Sequence, residues 1–283
     1  ILPASLTIIK NAAFYQCFSI QSISLPYWVT SIGDSAFYGC GQLRVIKIPP
    51  LVTTIGRYTF KNCYASQSIT IPNTVTQIME GAFMTCNLNT VSIPSSVTYI
   101  GSGAFAGNIS ISKFIVNENN TNYCSVDGIL FNKDTTMLMA FPSETGGRYT
   151  FPSTVTSMDA YAFNLSKLTS VTLSSVNKIP AFAFKECYQL TSLTIPSSVD
   201  SIEISAFENC HNLNTVVIAS SVSYIGDYVF NGCNKLKSIR AYSSTPTSFN
   251  YYGSTFTGVN KADCHLFVPT GSKSAYASAN LWK

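Results

Sequence analysis

Apolar side chains return along this chain at a fixed interval. An aromatic ring, usually after alanine, stands at Phe14, Phe37, Phe60, Phe83 and Phe105, and again at Phe163, Phe184, Phe207, Phe230 and Phe256, in steps of 23, 23, 23 and 22, then 58, then 21, 23, 23 and 26. An apolar residue followed by proline precedes most of these rings, as in Ile48-Pro49, Ile71-Pro72, Ile93-Pro94 and Ile195-Pro196. Between proline and ring lies Val-x-x-Ile, as in Val52/Ile55, Val75/Ile78 and Val199/Ile202. Such self-similarity marks a stacked repeat, and it governs everything else in the chain.

The spacing inside a unit predicts its elements. Alternation in Leu43-x-x-Ile46-x-Ile48 is the period of a short strand with one buried face, and Pro49 ends it because proline cannot donate to a continuing ladder. Val52-x-x-Ile55 forms a second brief extended segment, and Gly56 permits the bend after it. Asp34-Ser35-Ala36-Phe37 reads as one helical turn with a capping side chain. One unit cannot bury these groups alone, whereas stacked units can, at ~4.8 Å per coil.

Two stretches depart from the period. Within the 58-residue step, Ile129-Leu130-Phe131, a polar tetrapeptide from Asn132 and Met137-Leu138-Met139-Ala140-Phe141 predict a β-hairpin, so residues 117–148 read as an insertion in a repeat array spanning 1–241. Residues 242–283 read as a C-terminal cap, with Ala275, Ala279 and Trp282 at helical spacing. Leu2-Pro3 sits at a strand end, so further repeats or another domain are expected ahead of residue 1.

Composition narrows the function. The 283 residues are 46% hydrophobic and only 11% charged, with 17 basic against 13 acidic side chains, a net +4. No basic run exists to neutralise phosphates, so no nucleic-acid partner is expected. No apolar stretch approaches the ~20 residues of a membrane span. Seven of nine cysteines, Cys17, Cys40, Cys63, Cys86, Cys187, Cys210 and Cys233, fall three residues after the ring, which predicts a column of buried thiols, while Cys124 and Cys264 are off register. His211 is expected at an exposed corner, and His265 beside Cys264 points to the opposite face of a strand. No signature of a hydrolase, metalloenzyme or nucleotide-binding loop is present; neither an enzyme, a metal site nor a cofactor is expected. Three sequons begin at Asn108, Asn119 and Asn164.

The strand frame also assigns the outward positions. Lys47, Ser68, Thr70, Thr90, Ser92, Lys113, Thr172, Thr194 and Arg240 form the candidate binding face, largely hydroxyls with scattered cations. Tyr58, Tyr99, Tyr161, Tyr224 and Tyr228 form a candidate flank, where amphipathic rings suit protein contacts.

The unit Leu-x-x-Ile-x-Ile-Pro-x-x-Val-Thr-x-Ile-Gly-x-x-Ala-Phe-x-x-Cys resembles the leucine-rich repeats of BspA-like bacterial surface proteins, the short class found in Treponema pallidum, and the last segment resembles the cap of such proteins from Bacteroidetes. The resemblance implies a mainly β repeat solenoid, a right-handed superhelix with a parallel concave sheet, a short second ladder, single helical turns, an inserted hairpin and a C-terminal cap. It also implies a monomeric, non-enzymatic adhesin, extracellular or on the cell surface, that binds host matrix or plasma proteins, other cells or glycans. The alternative is an accessory module that targets a larger exported protein.

Overall fold

The computed structural model describes residues 2–249, 254–279 and 282. The expected cap therefore includes positions, 250–253, 280, 281 and 283, outside the described residues. The chain divides into two compact units, 1–144 and 145–283, each a mainly β solenoid.

In the first unit, five two-residue strands, Ile8–Ile9, Ser31–Ile32, Thr54–Ile55, Gln77–Ile78 and Tyr99–Ile100, stack as one parallel short ladder. Longer strands pair on another side, Val45–Lys47 with Ser68–Thr70 and Thr90–Ile93 with Lys113–Val116. In the second unit the long ladder is continuous over six strands: Gly146–Thr150, Lys167–Thr172, Ser192–Ile195, Thr215–Ile218, Ser238–Ala241 and His265–Phe267. Its short ladder holds Lys178–Ile179, Ser201–Ile202, Tyr224–Ile225 and Ser248–Phe249.

Each ladder exists because its alternate side chains have an interior to enter. Ile46, Val91 and Phe114 of the first unit, and Leu193, Val216 and Ile239 of the second, point inward from the long ladder and are buried. The Val-x-x-Ile pairs enter from the short ladder. Between them the repeat rings form continuous stacks. Phe14, Phe37, Phe60, Phe83 and Phe105 follow one another at 5.0, 5.4, 5.5 and 5.7 Å between centroids. Phe163, Phe184, Phe207, Phe230 and Phe256 follow at 4.7, 5.2, 5.8 and 5.6 Å. Every pair lies within 11° of parallel, because one coil reproduces the next. Each buried ring contributes about 1.5–3 kcal/mol.

The segment around the ring differs from the expected helical turn. The residues two before and two after it have left-handed φ in coil after coil: Ser35 (54°) and Gly39 (74°), Tyr58 (53°) and Asn62 (64°), Phe182 (60°) and Glu186 (61°). That conformation costs a non-glycine residue about 1–2 kcal/mol. The offset comes from neighbouring coils: the N–H groups of Ser35, Phe37 and Gly39 donate to the carbonyls of Arg57, Thr59 and Lys61, and those of Phe60 and Asn62 to Ala82 and Met84. The turns thus build a third hydrogen-bonded stack. Asp34 serves the same stack, since its Oδ1 accepts from the N–H of Arg57 in the next coil, at 2.7 Å, and caps no helix.

Within 117–148 the expected pairing of Ile129–Asn132 with Met137–Ala140 is present, and Tyr123–Val126 adds a third antiparallel strand. Buried Asn120 ties this meander to the coils. Its Nδ2 donates to the carbonyls of Pro94 and Val97, and its Oδ1 accepts from Asn122 and Tyr123. At the end of the second unit the helix is Lys273–Ser278, shorter than the alanine spacing suggested, and its buried residue is Tyr276. The Trp282 ring packs at 5.5 Å from Phe256 and 5.4 Å from Tyr276, beside the last ring of the stack.

All nine cysteines are free thiols. Six of the seven column members are buried, and Cys17 is half-buried. Their Sγ atoms donate to the ring residue's carbonyl one coil back, Cys63 to Phe37 at 3.3 Å and Cys86 to Phe60 at 3.0 Å. Burial pushes the Cys40 and Cys233 thiols up to about 12, and Cys210 is raised by burial and by its neighbour Cys187. Native protein treated with a thiol reagent near neutral pH is therefore expected to label no more than Cys17, Cys124 and Cys264, and denatured protein all nine; extensive native labelling would show the column to be open. The same shifts carry a pH dependence. An unfolded thiol ionises near its ordinary value of 9.0 while the folded one stays neutral, so this stabilisation is complete below about pH 9 and is lost as pH rises toward 12.

Candidate binding surface

The long ladders present their alternate residues to solvent. In the first unit Lys47 aligns with Thr70, Val45 with Ser68, Thr90 with Lys113 and Ser92 with Ile115. Lys47, Ser68, Thr70, Ser92 and Lys113 are exposed and Thr90 is half-buried. Lys47, Ser68 and Thr70 come together in one groove of about 740 Å³, with Val45 beside them and Tyr27 and Pro50 on its rim. Trp28 meets Tyr27 edge-on at 5.2 Å, and both rings are about 60% exposed. This aromatic pair escaped the sequence reading because it occurs in one coil only and so forms no column.

In the second unit Thr172, Thr194 and Arg240 are exposed on a single ladder. The ladder adds residues that sequence reasoning missed. Arg148 aligns with Ser170, and Phe267 aligns with Arg240, whose guanidinium lies 5.7 Å from the ring centroid. Arg148 was hidden because a register shift between Gly147 and Arg148 breaks the strand's alternation. His265 is exposed on this face opposite Ser238.

The tyrosine flank is less uniform than its spacing suggested. Tyr58 and Tyr161 serve the coil stack: the Tyr58 hydroxyl donates to Glu80 and its ring lies 5.0 Å from the Lys61 ammonium, while Tyr161 stacks on Phe182 at 4.6 Å. Tyr99 and Tyr228 are exposed. Tyr224 is half-buried, and burial, then the nearby Glu203 and Asp227 carboxylates, raise its phenol above the ordinary value. On the second unit's turns Lys185 meets Glu208 at 2.9 Å. Burial opposes ionisation of Glu208, but hydrogen bonds from Lys185, Ser205 and Asn231 outweigh it and hold the carboxyl below its usual range.

His211 is exposed at its corner, 5.2 Å from the Tyr188 ring. Among the described residues no three His, Cys, Asp or Glu side chains gather where a metal could be held, and no helix is long and apolar enough to cross a membrane. Of the sequons, Asn108 is buried, so it is closed to modification in the folded chain.

Coils of one long strand, one short strand and a turn-built edge around a stacked apolar interior define a leucine-rich-repeat protein. The chain belongs to the BspA type leucine rich repeat family, whose model matches six copies over residues 1–126 and 140–258. Among solved structures it is similar to a leucine rich cell surface protein from Faecalibacterium prausnitzii, with 26% identity over 84% of this chain and 77% of that one and a TM-score of 0.68. It is also similar to the pneumococcal vaccine antigen PcpA, with 25% identity over 98% of this chain and 75% of that one and a TM-score of 0.80. A leucine-rich repeat protein from Eubacterium ventriosum, 23% identical over 89% of this chain and 80% of that one with a TM-score of 0.61, shares the fold. No curated protein matches. The matching family is a leucine-rich-repeat family, and the neighbours from Faecalibacterium prausnitzii and Eubacterium ventriosum are described as leucine-rich proteins.

Proposed function

We propose that the chain is a non-enzymatic binding module of an extracellular or cell-surface protein, an adhesin that engages host matrix or plasma proteins through its long-ladder faces. The observation that carries this reading is the groove of the first unit. Exposed Tyr27, of a residue type that dominates interface energetics, lines it together with Lys47, Ser68 and Thr70, whose hydroxyls and ammonium supply adaptable polar contacts, and exposed Trp28 packs edge-on against Tyr27. A rigid ladder loses little conformational freedom on binding, so modest contacts accumulate into useful affinity. The similarity to a cell surface protein and to a vaccine antigen supports display outside the cell.

The test is binding of the purified chain to immobilised fibronectin, fibrinogen, collagen and mucin at physiological salt. Saturable binding to at least one is expected. Thr70→Arg, which fills the groove, and Trp28→Ala are each expected to weaken it about tenfold or more, equivalent to the ~1.4 kcal/mol of a modest hot spot. Retained binding in both variants would move the site off this face. Absence of binding to all four would favour a targeting module of a larger exported protein.

A further inference from the structure

A second candidate site lies on the turn edge of the first unit, away from the long ladder. Four residues after each repeat ring, successive coils place Phe18, Gly41 and Tyr64 in one column. Two residues after the ring they place Gln16, Gly39 and Asn62. The middle coil, Phe37-Tyr38-Gly39-Cys40-Gly41-Gln42, thus lacks a side chain at both positions where its neighbours carry one. The result is a notch of about 370 Å³, floored by Gly39 and Gly41 and walled by Phe18 on one side and Tyr64 on the other. Backbones two coils apart are separated by ~9.6 Å, twice the ~4.8 Å coil spacing, and the Tyr64 ring edge and the Gln16 side chain border the space above Gly41 and Gly39.

The lining is specific in its chemistry. Phe18 is 60% and Tyr64 54% exposed. The carboxamides of Gln16, Gln42 and Asn62 line the same notch without a hydrogen-bond partner within the described residues, and each offers both a donor pair and an acceptor. No charged side chain lines it. Aromatic walls with convergent, uncharged, bifunctional polar groups suit a ligand that has apolar C–H faces and hydroxyl edges that both donate and accept. A charged ligand would find no counter-charge in the lining, since the Lys61 ammonium is engaged over the ring of Tyr38 at 5.9 Å and does not line the notch, and a purely apolar one would leave the carboxamides desolvated and unpaired. We infer that the notch between Phe18 and Tyr64 binds a neutral pyranose residue of an oligosaccharide, its C–H face on one ring and its hydroxyls on the carboxamides.

The notch can be filled without disturbing the coil. Gly41 has no left-handed φ, and a Cβ there would first meet the Tyr64 ring edge at 3.4 Å, an ordinary contact. Its N–H donates to the Gly39 carbonyl just as that of Asn234 donates to Gly232, so asparagine is already accommodated at this position elsewhere in the array. The experiment is saturation-transfer NMR and calorimetry of the full chain with neutral tetrasaccharides (maltotetraose, cellotetraose, mannotetraose and lacto-N-neotetraose), with sialylated lacto-N-neotetraose as the charged probe. Saturable binding of at least one neutral probe is expected, with affinity falling about tenfold or more in Gly41→Asn and in Tyr64→Ala. Thr70→Arg, on the long ladder, is expected to leave it unchanged, which separates this site from the adhesive face. Unchanged thermal unfolding of Gly41→Asn would show that the loss is local. Failure of every neutral probe to bind, or full binding in Gly41→Asn, would overturn the assignment.

Discussion

Replacing Phe83 by alanine is expected to destabilise the first unit by about 3–5 kcal/mol, the range for truncating a buried phenylalanine. Phe83 is fully buried, stacked on Phe60 at 5.5 Å and on Phe105 at 5.7 Å, so its removal opens a cavity and also breaks two ring contacts. The surroundings have little freedom to collapse. The N–H of Phe83 donates to Ala104 and that of Phe60 to Ala82, so the coils on either side are held at their spacing by backbone bonds that the substitution leaves intact. In a linear array each coil is stabilised by its neighbours, and the damage should spread along the stack before it reaches more distant coils. Hydrogen exchange should show protection falling across the coils of Phe60, Phe83 and Phe105. Ser92→Ala, an exposed position on the same unit, should change stability by less than about 0.5 kcal/mol. A Phe83→Ala cost no larger than that of Ser92→Ala would mean that the stack is not the spine of the core.

Much of this fold is legible in the sequence because its period is written in residues with few substitutes. Only an apolar residue survives at Ile46 or Val91, and proline after it stops the ladder, so both strand and boundary are visible. Alternation then assigns Lys47, Thr70 and Thr194 to the solvent side without further information. The turn stack is hidden for the opposite reason. Its left-handed positions are held by Ser35, Tyr58, Asn62, Phe182 and Glu186, which share no chemistry. Neighbouring carbonyls, not local propensity, keep them there. The notch is hidden in the same way, since Gly39 and Gly41 read as ordinary turn residues until the coils on either side show what they omit. The different surroundings of the flank tyrosines are not legible because register along the chain does not say which neighbour a long side chain reaches. Tyr58 finds Glu80 and Lys61, whereas Tyr228 at the equivalent place stays exposed.

Asn108→Cys should cost about 3–5 kcal/mol although it restores the residue found at this position in seven other coils. The preceding step is 22 residues, one short, and the missing residue can be located: Cys86 and Leu88 flank a single residue, Asn87, where Cys40 and Leu43, or Cys210 and Leu213, flank two. In a full coil the leucine N–H donates to the cysteine carbonyl, as Leu43 does to Cys40 and Leu213 to Cys210. The shortened corner redirects the N–H groups of both Asn87 and Leu88, and the Asn108 Oδ1 accepts them at 2.8 and 3.0 Å. Its Nδ2 meanwhile donates to Phe83, the bond that a column thiol would make, and to Phe105. A thiol can replace one of these four bonds, leaving two backbone donors without an acceptor at a buried corner, at about 1–3 kcal/mol each. If deletion and asparagine compensate one another, inserting one residue between Asn87 and Leu88 in the Asn108→Cys chain should recover a large part of the loss. The same insertion in the parent chain should destabilise it. A double-mutant cycle by urea unfolding is expected to give a coupling above about 1 kcal/mol, and strictly additive effects would show that the two departures from the repeat are unrelated.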